Sequence, residues 1–120
     1  MKNKDIKKVM VIDDTSSITE ALGKWLKIGG VQDVVLFDNP LEAIEEIKKN
    51  GAPDFIVTDY NMPEMNGVEF LDKISQKHDI NAVIMTAYPS EVKFSTKQVY
   101  EVIEKKLGFM QVIVQKINGN

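Results

Sequence analysis

Lys8-Val9-Met10-Val11-Ile12-Asp13-Asp14 joins an unbroken apolar run to two consecutive aspartates. A short apolar run with β-branched residues predicts a buried strand, which the acidic pair stops. Beyond it, Ile18, Ala21, Leu22, Trp25, Leu26 and Gly29 recur at helical spacing, Ser17 and Glu20 suggest a capping box, and Gly29-Gly30 ends the helix. Val34 to Phe37 forms the second run. Asn39-Pro40 with Glu42 opens a helix whose apolar stripe is Leu41, Ile44 and Ile47, and Asn50-Gly51 stops it. Phe55-Ile56-Val57 leads to Thr58-Asp59, and Asn66-Gly67 opens a third helix with Phe70, Leu71 and Ile74. Ala82 to Met85 ends at Thr86, a fifth strand is predicted from Val99 to Glu104, and a last helix from Leu107 to Ile117. Between Tyr88 and Gln98 the rhythm asks for a fourth helix, but Pro89, Ser95 and Thr96 make it short or irregular.

Strands and helices in strict alternation predict an α/β fold with a five-stranded parallel sheet covered on both faces. Right-handed crossovers favour the order 2-1-3-4-5, and ligands then bind beyond the carboxyl ends of strands 1 and 3, where the order reverses. Asp13 and Asp14 follow strand 1, and Asp59 ends strand 3. Either element alone would read as an ordinary turn. Together they put three carboxylates at one point, where their mutual repulsion calls for a cation. An all-oxygen set with few other donors favours Mg²⁺ over Ca²⁺, which wants more ligands.

Composition narrows the alternatives. The 120 residues give room for one domain, and 43% apolar with 28% charged residues is a globular balance. With no cysteine and a single histidine, His78, thiolate chemistry and multi-histidine metal sites are excluded. A net charge of −3 without a basic patch disfavours direct nucleic-acid binding. Apolar runs of about five residues are far below the roughly 20 of a membrane span, and Met1-Lys2-Asn3-Lys4-Asp5 has no apolar region behind it, so a cytoplasmic setting is expected. Lys2, Lys4, Lys7 and Lys8 read as a solvated end, His78 as a cation near the end of helix 3, and Trp25 and most methionines as core or rim. Met62 and Met65 lie in the loop beside Asp59.

Asp59-Tyr60-Asn61-Met62-Pro63-Glu64-Met65-Asn66-Gly67 resembles the phosphoacceptor segment of bacterial two-component response-regulator receiver domains: an aspartate, then Met-Pro, then Asp or Asn before Gly. Asp13-Asp14 and Thr86-Ala87 stand where that family has its acidic and hydroxyl-bearing pairs. The resemblance spans the chain, so residues 1–120 are expected to be one receiver domain with the family's flavodoxin-like fold. It implies that Asp59 takes a phosphoryl group from a phosphohistidine of a sensor histidine kinase or phosphotransfer protein, and that the product docks on a further protein. It also implies that Asp14, Asp59 and the Asn61 backbone carbonyl hold Mg²⁺, with Asp13 acting through water. Thr86 and a lysine after strand 5 would contact the phosphoryl group, and Asn61, Ala87 and Tyr88 would tune access to it. Such a module assists its own phosphotransfer and dephosphorylation and is not an enzyme acting on external substrates.

Three departures from the pattern stand out. The family's Lys-Pro is here Lys105-Lys106. Strand alternation lets only one lysine face the site; alignment assigns Lys105, while the apolar phase of the last helix fits Lys106. A cis bond before Lys106 would cost about 3 kcal/mol, so it is either trans or held under strain. The family's switch aromatic is replaced by Val102, with Tyr100 two residues out of step, and the stretch from Thr86 to Lys105 is short. Met1 and the polar end Asn118-Gly119-Asn120 favour a complete chain, a stand-alone switch; the alternatives are an isolated receiver of a longer DNA-binding regulator and a phosphorylation-independent pseudo-receiver. A dehalogenase-type phosphatase is disfavoured because Asn61 stands where that chemistry needs a second aspartate.

Overall fold

The computed structural model describes residues 6–119; Met1 to Asp5, with Lys2 and Lys4, and Asn120 lie outside it. Five parallel strands, β1 (Lys8–Ile12), β2 (Asp33–Phe37), β3 (Phe55–Asp59), β4 (Ala82–Thr86) and β5 (Glu101–Glu104), form one sheet in the order β2-β1-β3-β4-β5. The helices are α1 (Ser16–Ile28), α2 (Pro40–Asn50), α3 (Gly67–Ser75) and α4 (Phe109–Asn118). The predicted class and strand order therefore hold.

Successive strand side chains point to opposite faces, and this divides the apolar runs into two cores. Met10, Ile12, Ile56 and Ile84 pack with α2 and α3 through Ala43, Ile44, Ile47, Phe70, Leu71 and Ile74. Val9, Val11, Val57, Val83, Met85 and Ile103 pack with α1 and α4 through Leu22, Leu26, Ile113 and Ile117. The runs are unbroken because both faces are covered. On the second face α1 and α4 meet closely. A Cβ on Gly29 would stand 2.6 Å from Val114 Cγ1, and Asn118 Nδ2 donates to the Gly29 carbonyl at 2.9 Å.

Several expected boundaries move, each for an identifiable reason. The Ser17–Glu20 capping box does not form. Asp13 Oδ1 accepts from the Thr15 N–H at 2.9 Å, the chain turns there, and α1 begins at Ser16 with Thr15 as its N-cap. Leu41 is exposed, and the buried stripe of α2 is Pro40, Ala43, Ile44 and Ile47. β5 starts at Glu101: Val83 pairs with Glu101, so Val99 falls beyond the start of β4 at Ala82 and is exposed. The last helix begins at Phe109, because Gly108 adopts a left-handed φ of 87° as its N-cap and Leu107 points into solvent. His78 lies three residues beyond the end of α3, whose last turn carries Lys73 instead. Trp25 sits on the rim, Met10 and Met85 are core, and Met62 and Met65 pack half-buried on the α2–α3 side.

The helix expected between Tyr88 and Gln98 is, as anticipated, short and irregular. A single 3₁₀ turn at Pro89–Glu91 is followed by irregular chain up to β5. Val92, Phe94 and Tyr100 cover the sheet in its place. Tyr100, expected to be out of step with the family's aromatic position, is buried on this face.

Asn66 caps α3 as anticipated, in a capping box with Glu69: the Glu69 N–H donates to Asn66 Oδ1 at 2.9 Å, and the Asn66 N–H to Glu69 Oε1 at 2.8 Å. Gly67 then passes so close to β3 that a Cβ would stand 2.5 Å from the Asp59 carbonyl oxygen. Alanine is the better helix former, yet Gly67→Ala is expected to lower stability by about 1–3 kcal/mol through overpacking. Urea unfolding measures this directly; a variant as stable as the parent would mean that the helix does not approach the strand so closely.

Candidate functional site

The parallel register brings the carboxyl ends of β1, β3 and β4 level. Ile12 pairs with Thr58, Asp59 with Met85, and Thr86 with Glu104. Main-chain bonds extend the ladder past the strands. The Asp13 N–H donates to the Phe37 carbonyl at 3.1 Å, the Tyr60 N–H to Met85 at 2.9 Å, and the Lys105 N–H to Thr86 at 2.8 Å. Asp13, Asp59, Thr86 and Lys105 are thus placed by backbone geometry before any side chain interacts.

Asp13, Asp14 and Asp59 each offer a carboxylate oxygen within 4.8 Å of the others. Asp13 is fully buried, Asp59 nearly so, and Asp14 exposed. Lys105 Nζ lies 2.8 Å from Asp13 Oδ2 and 2.9 Å from Asp59 Oδ1. Lys106 is exposed, so Lys105 is the lysine that faces the carboxylates. Peptide bonds among the described residues are all trans, including the one before Lys106. Burial holds the Asp59 carboxyl above its ordinary range; the Lys105 hydrogen bond opposes this, and the charges of Asp13 and Asp14 reinforce it. Burial would depress the Lys105 ammonium, but its hydrogen bonds to Asp13 and Asp59, with their charges, outweigh it and raise it above an ordinary lysine.

Three carboxylates against one ammonium leave the cluster with excess negative charge. Its donors are all oxygens, with no sulfur or imidazole, which fits a hard divalent cation. The loop after Asp59 also holds Glu64 at φ 76°, the one non-glycine residue with positive φ among those described. Such a conformation is uncommon without a constraint from its surroundings.

The family model of the response regulator receiver domain matches residues 9–118. The chain belongs to that family. This receiver domain is similar to chemotaxis protein CheY1 of Helicobacter pylori, 34% identical over 67 residues that cover 56% of this chain and 54% of that protein. The match thus spans about half the length of that relative. It is also similar to chemotaxis protein CheY-3 of Vibrio cholerae, 31% identical over 91 residues, 76% of this chain and 68% of that one. Its fold matches response regulator protein TrrA of Thermotoga maritima, solved in complex with Mg(2+)-BeF, with a TM-score of 0.79 and 27% identity over 93% of this chain and 99% of that one. No helix among the described residues is long and apolar enough to cross a membrane.

Around the cluster, the other expected residues of the receiver domain are arranged unevenly. Thr86 is buried, and its hydroxyl donates to Glu91 Oε1 at 2.8 Å while accepting from the Tyr88 N–H at 3.1 Å. Asn61 Nδ2 donates to the same Glu91 oxygen at 2.5 Å. Ala87 and the Tyr88 ring are exposed. Glu91 was not anticipated. It lies in the segment without periodicity, and nothing in its sequence neighbours marks it; only the fold brings it over Thr86 and Asn61.

A carboxyl whose folded-state pKa is raised favours folding while protonated. That contribution is complete below the ordinary carboxylate range and is lost as pH rises through the raised value. Asp59→Asn removes the ionised group and leaves Lys105 paired with Asp13. In Mg²⁺-free buffer the variant is expected to melt at a higher temperature than the parent at pH 7, with the gap closing as pH falls to about 4. A gap that stays constant across this range would contradict the electrostatic account.

Proposed function

We propose that this chain is a phosphorylation-dependent switch of a two-component system, accepting a phosphoryl group on Asp59 from a phosphohistidine of a sensor histidine kinase or phosphotransfer protein. The observation that carries this reading is the shared ammonium: Lys105 Nζ bridges Asp13 and Asp59 within a three-carboxylate cluster. An Asp59 carboxylate oxygen attacks phosphorus while the P–N bond to the donor imidazole breaks. The electron pair of that bond stays on the imidazole, which takes a proton from water.

There is little covalent work for the protein in such a transfer, so catalysis is placement and charge. Asp59 is held in place by the β3–β4 register and Gly67. Lys105 sets a positive charge beside the oxygen that reacts. Asp14, Asp59 and the Asn61 carbonyl would hold Mg²⁺, with Asp13 acting through water. When bound, the ion supplies a hard charge against phosphoryl oxygens. The Thr86 hydroxyl has one proton to give and would give it to the phosphoryl group. Asn61, Ala87 and Tyr88 border the route by which water reaches the acyl phosphate. On this reading the domain, spanning residues 1–120, is a regulatory module in the cytoplasm whose target is another protein, and any contact with nucleic acid belongs to a separate output domain.

Mass spectrometry after incubation with a small phosphodonor and Mg²⁺ tests the central statement. The parent should gain one phosphoryl mass and Asp59→Asn none; a gain in the variant at the parent's rate would place the acceptor elsewhere. Mg²⁺ should also raise the melting temperature of the unphosphorylated protein, since a ligand that binds only the folded state contributes about 2.7 kcal/mol at 100 times its dissociation constant. Asp14→Ala should lose most of that shift. An equal shift in both proteins would remove the metal from this site.

A further inference from the structure

We propose that Glu91 is a latch on the switch: its carboxylate takes the hydrogen bonds of Thr86 and Asn61 in the unphosphorylated protein and must release them when Asp59 is phosphorylated. The inference rests on the phosphoacceptor reading and adds a positioning residue to it.

The geometry is that of one acceptor serving two donors from different elements. Glu91 Oε1 is 2.8 Å from Thr86 Oγ1, at the end of β4, and 2.5 Å from Asn61 Nδ2, in the loop after β3. A threonine hydroxyl has a single proton. It cannot donate to Glu91 and to a phosphoryl oxygen at once. The Tyr88 N–H already occupies the acceptor side of the same hydroxyl, so its proton is directed toward Glu91. Phosphorylation also adds negative charge at Asp59 and new acceptor oxygens. Glu91 then loses the Thr86 donor and faces added repulsion, and both effects act to expel it and to break its bond with Asn61.

What would move is equally defined. Glu91 ends the 3₁₀ turn Pro89–Glu91, which is held by the Glu91 N–H on the Tyr88 carbonyl at 3.0 Å and the Val92 N–H on the Pro89 carbonyl at 3.2 Å. Pro89 and Ser90 are exposed, so the turn itself can open while Val92 and Phe94 stay packed on the core. Expelling Glu91 would free this turn, in the segment that a fourth helix would otherwise occupy. Asp72 ties that chain further on, accepting from Ser95 Oγ at 2.5 Å. The moving part is thereby confined to the segment between Thr86 and Ser95.

The test uses the full chain with Mg²⁺ and beryllofluoride, a phosphoryl mimic that binds a carboxylate oxygen without a donor. Binding is measured by calorimetry, and amide hydrogen exchange is followed across residues 86–95. In the parent, beryllofluoride should speed exchange at the Glu91 and Val92 amides. Glu91→Ala should show fast exchange there before ligand is added and bind the mimic about tenfold more tightly, equivalent to about 1.4 kcal/mol. Glu91→Gln keeps the acceptor oxygen and drops the charge, so its affinity should fall between the two; it also serves if the alanine variant does not fold. Affinities equal to or weaker than the parent's in both variants would overturn the latch, as would slower exchange at Glu91 and Val92 in the liganded parent. If the parent neither binds beryllofluoride nor gains a phosphoryl mass, the phosphoacceptor reading fails and the latch with it. Normal binding in the parent with unchanged variants removes the latch alone.

Discussion

Asp13 has no exposure to water, so its charge has to be met where it stands. The group that meets it is Lys105 Nζ, 2.8 Å away. In the order β2-β1-β3-β4-β5 these residues belong to strands separated by two others, so the ion pair crosses the carboxyl ends of β3 and β4. Asp59 lies under that crossing and shares the ammonium. Removing one partner from such a buried pair is costly because the other is left uncompensated. The site and the alignment of the sheet therefore depend on each other: the strands must end level for Lys105 to reach, and Lys105 must reach for Asp13 to remain buried.

The rest of the fold makes that alignment rigid. Each strand sends alternate side chains into one of two separate cores, so a one-residue slip would exchange them and disrupt the packing of both. The sheet is a fixed platform, and the acidic residues sit where the platform ends and the loops begin, the usual place for chemistry in a parallel sheet. Gly67 adds a constraint from the other side. With no Cβ, it lets the start of α3 press against the Asp59 carbonyl, so the backbone that carries this carboxylate is fixed by a helix as well as by the ladder.

The legible parts of the sequence were those governed by local rules. Buried parallel strands read as unbroken apolar runs, and Val9 to Ile12 or Ala82 to Met85 could hardly be anything else. Asn66-Gly67 announced α3 because a cap is a contact between near neighbours. The acidic residues followed from the strand order. The misreadings arise where a contact that spacing does not announce, near or far in the chain, won over a propensity. Ser17 and Glu20 had the spacing of a cap, but Asp13 turned the chain first. Val99 had strand propensity, but β4 had not begun opposite it. Lys105 and Lys106 could not be separated from spacing alone, since alternation says only that they diverge. Glu91 left no trace, because its two partners are 5 and 30 residues away and neither distance is a pattern.

The irregular chain between Tyr88 and Gln98 then takes on a physical meaning. A helix satisfies its own backbone and resists local opening; irregular chain held by a few side-chain bonds opens at lower cost. Here the chain after β4 is held by Glu91 on Thr86 and Asn61, by Ser95 on Asp72, and by Val92, Phe94 and Tyr100 on the core. The first of these ties is made by the same hydroxyl that a phosphoryl group would claim. On the proposed reading, a charge added at Asp59 would act on a segment held by few bonds, through one side chain. A ligand shifts an equilibrium only by its difference in affinity for the two states. A short coupling path with a mutually exclusive hydrogen bond at its centre is an economical way for a chain of this size to create that difference.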